Sequence, residues 1–126
     1  MSESKKILIV DDEPNIVLAI ETILDDSRFE LFTASDGETG LQLATTIHPD
    51  LIILDVMMPG MDGYEVGKKI RNIESLDDIY ILFLTAKGTK TDKEDGYASG
   101  AELYMVKPFD NDELLEKVLY LLGLDA

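Results

Sequence analysis

The sequence contains no cysteine and a single histidine, His48. Without cysteine the chain can form no disulfide framework, no thiolate metal site and no cysteine nucleophile. It also lacks an apolar run of about 18 residues, the length needed to cross a bilayer as a helix, and the apolar run at 7–10 is too short for a signal peptide. We therefore expect a cytoplasmic protein without a membrane segment. His48 precedes a proline at a predicted helix end, so we expect it to be a surface or capping residue.

Basic residues are scarce, with 11 lysines and arginines against 26 aspartates and glutamates, a net charge of −15. Such a charge repels phosphate backbones and anionic lipids, so we expect neither direct nucleic-acid binding nor membrane binding. The acidity either serves solubility, or some of the carboxylates converge on a cation. The length of 126 residues and the hydrophobic fraction of 45% fit one globular domain. We expect about residues 5–123 of it to be structured.

Short, mostly apolar runs alternate with segments in which apolar residues recur at helical spacing. The runs predict strands at 7–10, 30–34, 51–54, 80–84 and 102–106. The periodic segments predict helices at about 14–27, 36–47, 62–73, 91–99 and from 111 onward, the fourth being the least apolar. This alternation predicts an α/β fold, a parallel five-stranded sheet with five helices on both faces. The flavodoxin-like strand order 2-1-3-4-5 is the expected solution.

Reactive side chains stand at the carboxyl ends of four of these strands, the edge where open α/β sheets bind ligands. They are Asp11 and Asp12, Asp55, Thr85, and Lys107. Three close carboxylates repel one another and need a cation, and oxygen ligands with waters suit Mg²⁺. A lysine and a hydroxyl beside the ion would hold a phosphoryl group. Asp55, on the middle strand, is then the candidate nucleophile that forms an aspartyl phosphate.

This arrangement resembles the receiver domain of two-component response regulators, from the first strand to the last helix. The residues that carry the resemblance are Asp11-Asp12, Asp55 with Pro59-Gly60 and Gly63, Thr85-Ala86, Gly100-Ala101, and Lys107-Pro108-Phe109. The resemblance implies a signalling switch, not a metabolic enzyme, that catalyses only its own phosphorylation and dephosphorylation. The phosphoryl group would come from a histidine kinase, a phosphotransfer protein or a small phosphodonor, and Asp55 would accept it.

The resemblance also implies a metal-ligand set. Asp12 would bind Mg²⁺ directly and Asp11 largely through water. Asp55 and the backbone carbonyl of Met57 would complete the protein ligands. The side chain of Met57 lies at a position that resembles one at which the family tunes dephosphorylation.

By the same resemblance, Thr85 and Lys107 would contact the phosphoryl group. Tyr104 matches the switch aromatic, which turns inward as Thr85 moves toward the phosphate. The Lys107–Pro108 peptide bond would be cis. Lys87 is either a second tuner of dephosphorylation or simply an exposed side chain.

Phosphorylation would be read out on the face formed by the fourth predicted helix, the fifth strand and the fifth helix. A downstream protein or an output domain would bind there, or a second copy of the chain on activation. We expect a single receiver domain over residues 1–126, with no output domain in this chain. It would be either a stand-alone receiver or part of a longer protein.

Two other classes of protein share parts of this pattern. Haloacid-dehalogenase-type phosphatases use a strand-end aspartate, Mg²⁺, threonine and lysine, but they carry a second aspartate two residues after the nucleophile. Met57 stands at that position, and the chain has no cap insertion. A flavodoxin-type mononucleotide binder needs a phosphate loop after the first strand, where this chain has Asp-Asp-Glu-Pro, and these carboxylates would repel a phosphate.

Overall fold

The computed structural model describes residues 4–86 and 100–125. The strands are β1 (Lys5–Val10), β2 (Phe29–Ala34), β3 (Leu51–Asp55), β4 (Tyr80–Thr85) and β5 (Leu103–Val106). The helices are α1 (Pro14–Ile23), α2 (Gly37–Ile47), α3 (Gly63–Asn72) and α4 (Asn111–Leu122). Helix α4 is the fifth predicted helix. The fourth predicted helix, at about 91–99, lies outside the described residues, as does Lys87.

All strand pairs are parallel, and the order β2-β1-β3-β4-β5 confirms the predicted one. Strand β3 lies in the middle, with Leu54 opposite Val10 on one side and Phe83 on the other. The residues that follow these partners, Asp11 and Asp55 among them, therefore meet at one edge of the sheet.

Both faces of the sheet are covered, which explains the continuously apolar strands. Alternate residues point to opposite faces. One core lies between the sheet and α1 with α4, and its strand residues include Ile7, Ile9, Ile53, Leu82, Leu84 and Met105. The other lies under α2 and α3 and includes Leu8, Val10, Ile52, Leu54, Phe83 and Tyr104. A one-residue slip would exchange these two sets, so the cores fix the register and hence the positions of the strand ends.

One local prediction was wrong in detail. Helix α1 ends at Ile23 and not near residue 27, because the carboxylate of Asp26 accepts hydrogen bonds from the backbone N and Nε of Arg28, at 2.8 and 3.0 Å, and stabilises a turn there. Between α3 and β4 the chain forms a 3₁₀ helix, Glu74–Leu76. The side chain of Leu76 belongs to the second core.

His48 is a capping residue, as predicted. It ends α2 with a left-handed backbone, φ 54°. Its exposed ring places Nε2 2.7 Å from the carbonyl oxygen of Ser75 and 3.2 Å from Oδ1 of Asp78. It lies just before β3, at the opposite end of the sheet from Asp55. Within the described ranges, no helix has the length and apolar character needed to span a bilayer.

Candidate functional site

Four carboxylates converge at the carboxyl end of the sheet. Asp11, Asp12, Glu13 and Asp55 each bring one oxygen to within 4.8 Å of the others. Asp11 and Asp55 are buried, each with 2% of its surface exposed, whereas Asp12 and Glu13 lie nearer to solvent. Glu13 was not predicted as part of this site, and its one local signal is its place directly after the aspartate pair. Such a group of hard oxygen ligands could hold a divalent cation.

Asp55 has a raised pKa and incomplete hydrogen bonding among the described residues. Its Oδ1 accepts a hydrogen bond from the amide of Met57 at 3.3 Å. Its Oδ2 is buried, and the described residues, 4–86 and 100–125, provide no hydrogen-bond partner for it. Burial, with the nearby charge of Asp11, raises the pKa of Asp55 to about 7 despite the opposing effect of Lys107. A buried carboxylate with an unsatisfied oxygen in a cluster of like charge points to a functional group.

Lys107 faces three of these carboxylates, with only 11% of its side chain exposed. Its Nζ lies 2.9 Å from Oδ2 of Asp11, 3.4 Å from Oε1 of Glu13 and 3.4 Å from Oδ1 of Asp55. Burial disfavours its charged form, but the hydrogen bond and charge of Asp11, together with the other two carboxylates, raise the pKa of Lys107 above its usual value. The ammonium is therefore a fixed positive charge beside Asp55.

Thr85 and Lys107 are held next to each other by the backbone. Thr85 ends β4 and is fully buried, and its carbonyl accepts a 2.7 Å hydrogen bond from the amide of Lys107. The peptide bond between Lys107 and Pro108 is cis, as predicted. The structure thus brings together the side chains of Asp11, Asp12, Asp55 and Lys107, and the backbone places Thr85 beside Lys107.

The turn after Asp55 depends on a glycine. The amide of Gly63 donates to the carbonyl of Val56 at 3.0 Å, and a Cβ at this position would collide with the carbonyl of Asp55 and the Cα of Val56. Helix α3 therefore begins directly against the Asp55 backbone, and Asp62 caps it by accepting from the amide of Glu65 at 2.9 Å. The side chain of Met57 is 53% exposed, and the ligand role of its carbonyl stays a prediction.

Tyr104 lies on the inner side of β5, with 7% of its surface exposed. Its ring packs edge-to-face on Phe83, with 6.4 Å between centroids. Its hydroxyl lies 3.3 Å from the hydroxyl of Tyr64, whose ring also packs edge-to-face on Phe83 at 5.3 Å. Tyr64 is thus a packing residue of the second core. The side chain of Tyr104, the predicted switch aromatic, is thus buried in the structure.

Comparison with known proteins gives a consistent result. Residues 7–119 match the family model described as the response regulator receiver domain. The chain is 47% identical over 115 residues to the alkaline phosphatase synthesis transcriptional regulatory protein PhoP of Bacillus subtilis, covering 91% of this chain and 47% of that protein. It is 43% identical over 117 residues to the DNA-binding dual master transcriptional regulator RpaA of Synechocystis, covering 93% and 48%. The chain thus spans about half the length of these relatives.

Solved structures show the same likeness. A putative response regulator from Chloroflexus aurantiacus superposes with a TM-score of 0.90 at 36% identity, covering 96% of this chain and 99% of that one. The chemotaxis protein CheY4 of Vibrio cholerae superposes with a TM-score of 0.87 at 36% identity, covering 94% and 98%. These matches favour neither the phosphatase nor the mononucleotide binder considered above. The chain belongs to the response regulator receiver domain family of two-component signalling.

Proposed function

We propose that the chain is a phosphorylation-controlled switch in which Asp55 accepts a phosphoryl group in the presence of Mg²⁺. The donor would be a histidine kinase, a phosphotransfer protein or a small acyl phosphate. One observation carries the proposal: Asp55 is buried between Asp11 and Lys107 with an oxygen, Oδ2, that has no hydrogen-bond partner among the described residues. A structural carboxylate at such a depth would be fully hydrogen-bonded.

The transfer needs the carboxylate form of Asp55. An Asp55 oxygen attacks phosphorus, a P–O bond forms, and the P–N bond of a phosphohistidine breaks with its electron pair leaving on the imidazole, which is then protonated. Lys107 favours the ionised form of Asp55 by its charge. Lys107 and the hydroxyl of Thr85 are also suited to contact the incoming phosphoryl oxygens.

A Mg²⁺ ion fits the donor set of this site. Asp11, Asp12 and Asp55 would hold it, since hard oxygen ligands and a local excess of carboxylates are what this ion requires. When bound, the ion supplies positive charge that offsets the carboxylates and the phosphoryl oxygens. Glu13 is placed to act on the site through Lys107, at 3.4 Å, not as a predicted ligand.

The output follows from the charge that phosphorylation adds, about −1.5 to −2 at neutral pH. Lys107, now divided between Asp11, Glu13 and Asp55, would be drawn toward the phosphoryl oxygens, and Thr85 with it. Lys107 directly follows β5, so the shift would reach the surface formed by β5 and α4. A downstream protein, an output domain or a second copy of the chain would bind there. Hydrolysis of the aspartyl phosphate would reset the switch.

Two relatives are named transcriptional regulators, one of them DNA-binding. We propose that this domain acts on such an output by protein contact and not by touching DNA itself. Its net charge of −15 opposes binding to a phosphate backbone.

The test is the intact mass of the protein after incubation with Mg²⁺ and acetyl phosphate. We expect the mass to increase by one phosphoryl group. When EDTA is present from the start, we expect no increase. The Asp55→Asn variant should gain none, because the amide replaces the attacking oxygen.

The matched control is Asp62→Asn. Asp62 lies in the same turn but caps α3, and asparagine caps helices as well as aspartate does. This variant should gain the phosphoryl group normally. Uptake that persists in Asp55→Asn, or no uptake by the wild type under rapid quenching, would contradict the proposal.

A further inference from the structure

Three aromatic rings connect the turn after Asp55 to strand β5. Phe83 and Tyr104 are directly opposite each other in the β4–β5 pair. Tyr64 packs its ring edge-to-face on Phe83, 5.3 Å between centroids at 90°, and reaches the hydroxyl of Tyr104 at 3.3 Å. The two tyrosines are 40 positions apart in the chain, so the contact is purely tertiary.

Tyr64 is fixed by the same turn that fixes Asp55. It is the second residue of α3, and the preceding residue, Gly63, donates to Val56 and lies against the Asp55 backbone. Tyr104 stands on β5, which pairs with β4 over four residues and has no second strand partner among the residues that the structure describes. The hydroxyl pair therefore links the turn after Asp55 to the edge strand β5.

The bond also matches what a buried tyrosine requires. A tyrosine ring gains by burial, but its hydroxyl needs a partner there. The hydroxyl of Tyr64 supplies one to Tyr104 in the inner position. An outward rotation would exchange this bond for water and would take the ring away from Phe83. These contacts favour the inner orientation of Tyr104.

We propose that Tyr64 is a positioning residue that holds Tyr104 in its buried orientation in the unphosphorylated protein. The inference rests on the proposed function in that it treats Tyr104 as the switch aromatic. As a consequence, the side chain of Tyr104 would be buried in this receiver before it is phosphorylated. Replacing Tyr64 by phenylalanine, which removes the hydroxyl and keeps the ring on Phe83, should let Tyr104 turn outward. Phosphorylation should then drive it back.

The test uses ¹⁹F NMR of protein in which the five tyrosines are 3-fluorotyrosine. The Tyr104 resonance is assigned with Tyr104→Phe, and its exposure is measured as the shift between H₂O and D₂O. Tyr120, 77% exposed, gives the value of an open ring in the same molecule. In the wild type we expect a small shift for Tyr104. In Tyr64→Phe we expect it to rise toward that of Tyr120, and Tyr120→Phe is the control that leaves Tyr104 unchanged.

A second step separates positioning from a loss of packing. Acetyl phosphate with Mg²⁺ should return the Tyr104 shift of Tyr64→Phe to the wild-type value, and should not do so when Asp55→Asn is added. An unchanged shift in Tyr64→Phe overturns the inference. So does a raised shift that phosphorylation, verified by intact mass, fails to reverse. The first step requires no phosphorylation, so it decides the inference even if the proposed acceptor role of Asp55 fails.

Discussion

Two clusters centred on a cation stand at different ends of this sheet, and they are built in opposite ways. The guanidinium of Arg71 on α3 uses all five of its N–H donors, which is the full number that arginine has. Their acceptors are the carbonyls of Gly100 (twice), Asp77 and Ile79 and the carboxylate of Glu102, at 2.6 to 3.0 Å. The second oxygen of Glu102 accepts from the amide of Ile81 at 2.6 Å. Every charge in this cluster is satisfied.

The cluster around Lys107 has more carboxylates than cations and is not fully hydrogen-bonded among the described residues. We call it the open cluster, and the Arg71 cluster the closed one. Its ammonium faces three carboxylates at 2.9 to 3.4 Å, and Oδ2 of Asp55 has no hydrogen-bond partner within the part of the chain that the structure describes. Burial, with the nearby charge of Asp11, raises the pKa of Asp55, so Lys107 does not fully offset these effects. The fully hydrogen-bonded charges around Arg71 stabilise the fold. The excess of carboxylates around Asp55 reduces stability and favours the binding of added positive charge. Functional sites commonly carry such a cost.

Breaking the closed cluster should produce the largest effect. Arg71→Ala removes the ion-pair partner of Glu102 and four hydrogen bonds to carbonyls, so we expect a loss of about 2–4 kcal/mol in the free energy of unfolding, measured with urea. Arg71→Lys should recover only part of this, because lysine has three donors and no planar fork. The control is Lys69→Ala, an exposed cation on the same helix, which should change stability by less than about 0.5 kcal/mol. Equal losses in Arg71→Ala and Lys69→Ala would contradict the comparison.

The open cluster should respond with the opposite sign. Asp55→Asn removes a buried, repelled charge and keeps the side chain's size, so at pH 8 in EDTA we expect the free energy of unfolding to rise by about 1–3 kcal/mol. Asp62→Asn, outside the cluster, should leave it within about 0.5 kcal/mol. Urea unfolding measures both. If Asp55→Asn destabilised the protein, the carboxylate would be a structural one, and the contrast with Arg71 would fail.

The residues of these two clusters differ in how visible they are in the sequence. Asp11, Asp55 and Lys107 could be found because each follows an apolar run, and a parallel sheet brings the carboxyl ends of its strands to one edge. That reasoning uses only the strand order and the register, both of which follow from burial on two faces. It predicts which side chains meet without any knowledge of their distances.

Arg71 and Tyr64 could not be found in this way. Arg71 ends a helix pattern as an ordinary polar residue, and its acceptors are mainly backbone carbonyls, which have no signature in the sequence. The link between Tyr64 and Tyr104 depends on the angle at which α3 leaves the Asp55 turn. Glu13 was missed because a carboxylate before Pro14 reads equally well as the acidic start of a helix. These contacts are set by how elements pack, and periodicity does not encode that.

The pH dependence of the Asp55→Asn effect sharpens the comparison and should be the smallest of these changes. Asp55 titrates near 3.8 in the unfolded chain and at about 7 in the folded one, so between these values the folded state holds a proton that the unfolded state releases. Raising the pH then favours unfolding, and in EDTA the stability advantage of the variant should grow by up to about 1 kcal/mol per pH unit from pH 5 to 7.

Asp26 and Asp36 do not interfere in this window. The lowered pKa values of Asp26, about 2, and of Asp36 stabilise the folded state above the unfolded values of these carboxylates, and this contribution is lost only as the pH falls below about 4. Mg²⁺ should reduce the advantage of Asp55→Asn at pH 8, since the ion would bind the folded wild type. A stability difference that does not depend on pH would mean that Asp55 titrates at its ordinary pKa. The negative charges of the cluster would then be offset in the folded protein, and the contrast with the Arg71 cluster would fail.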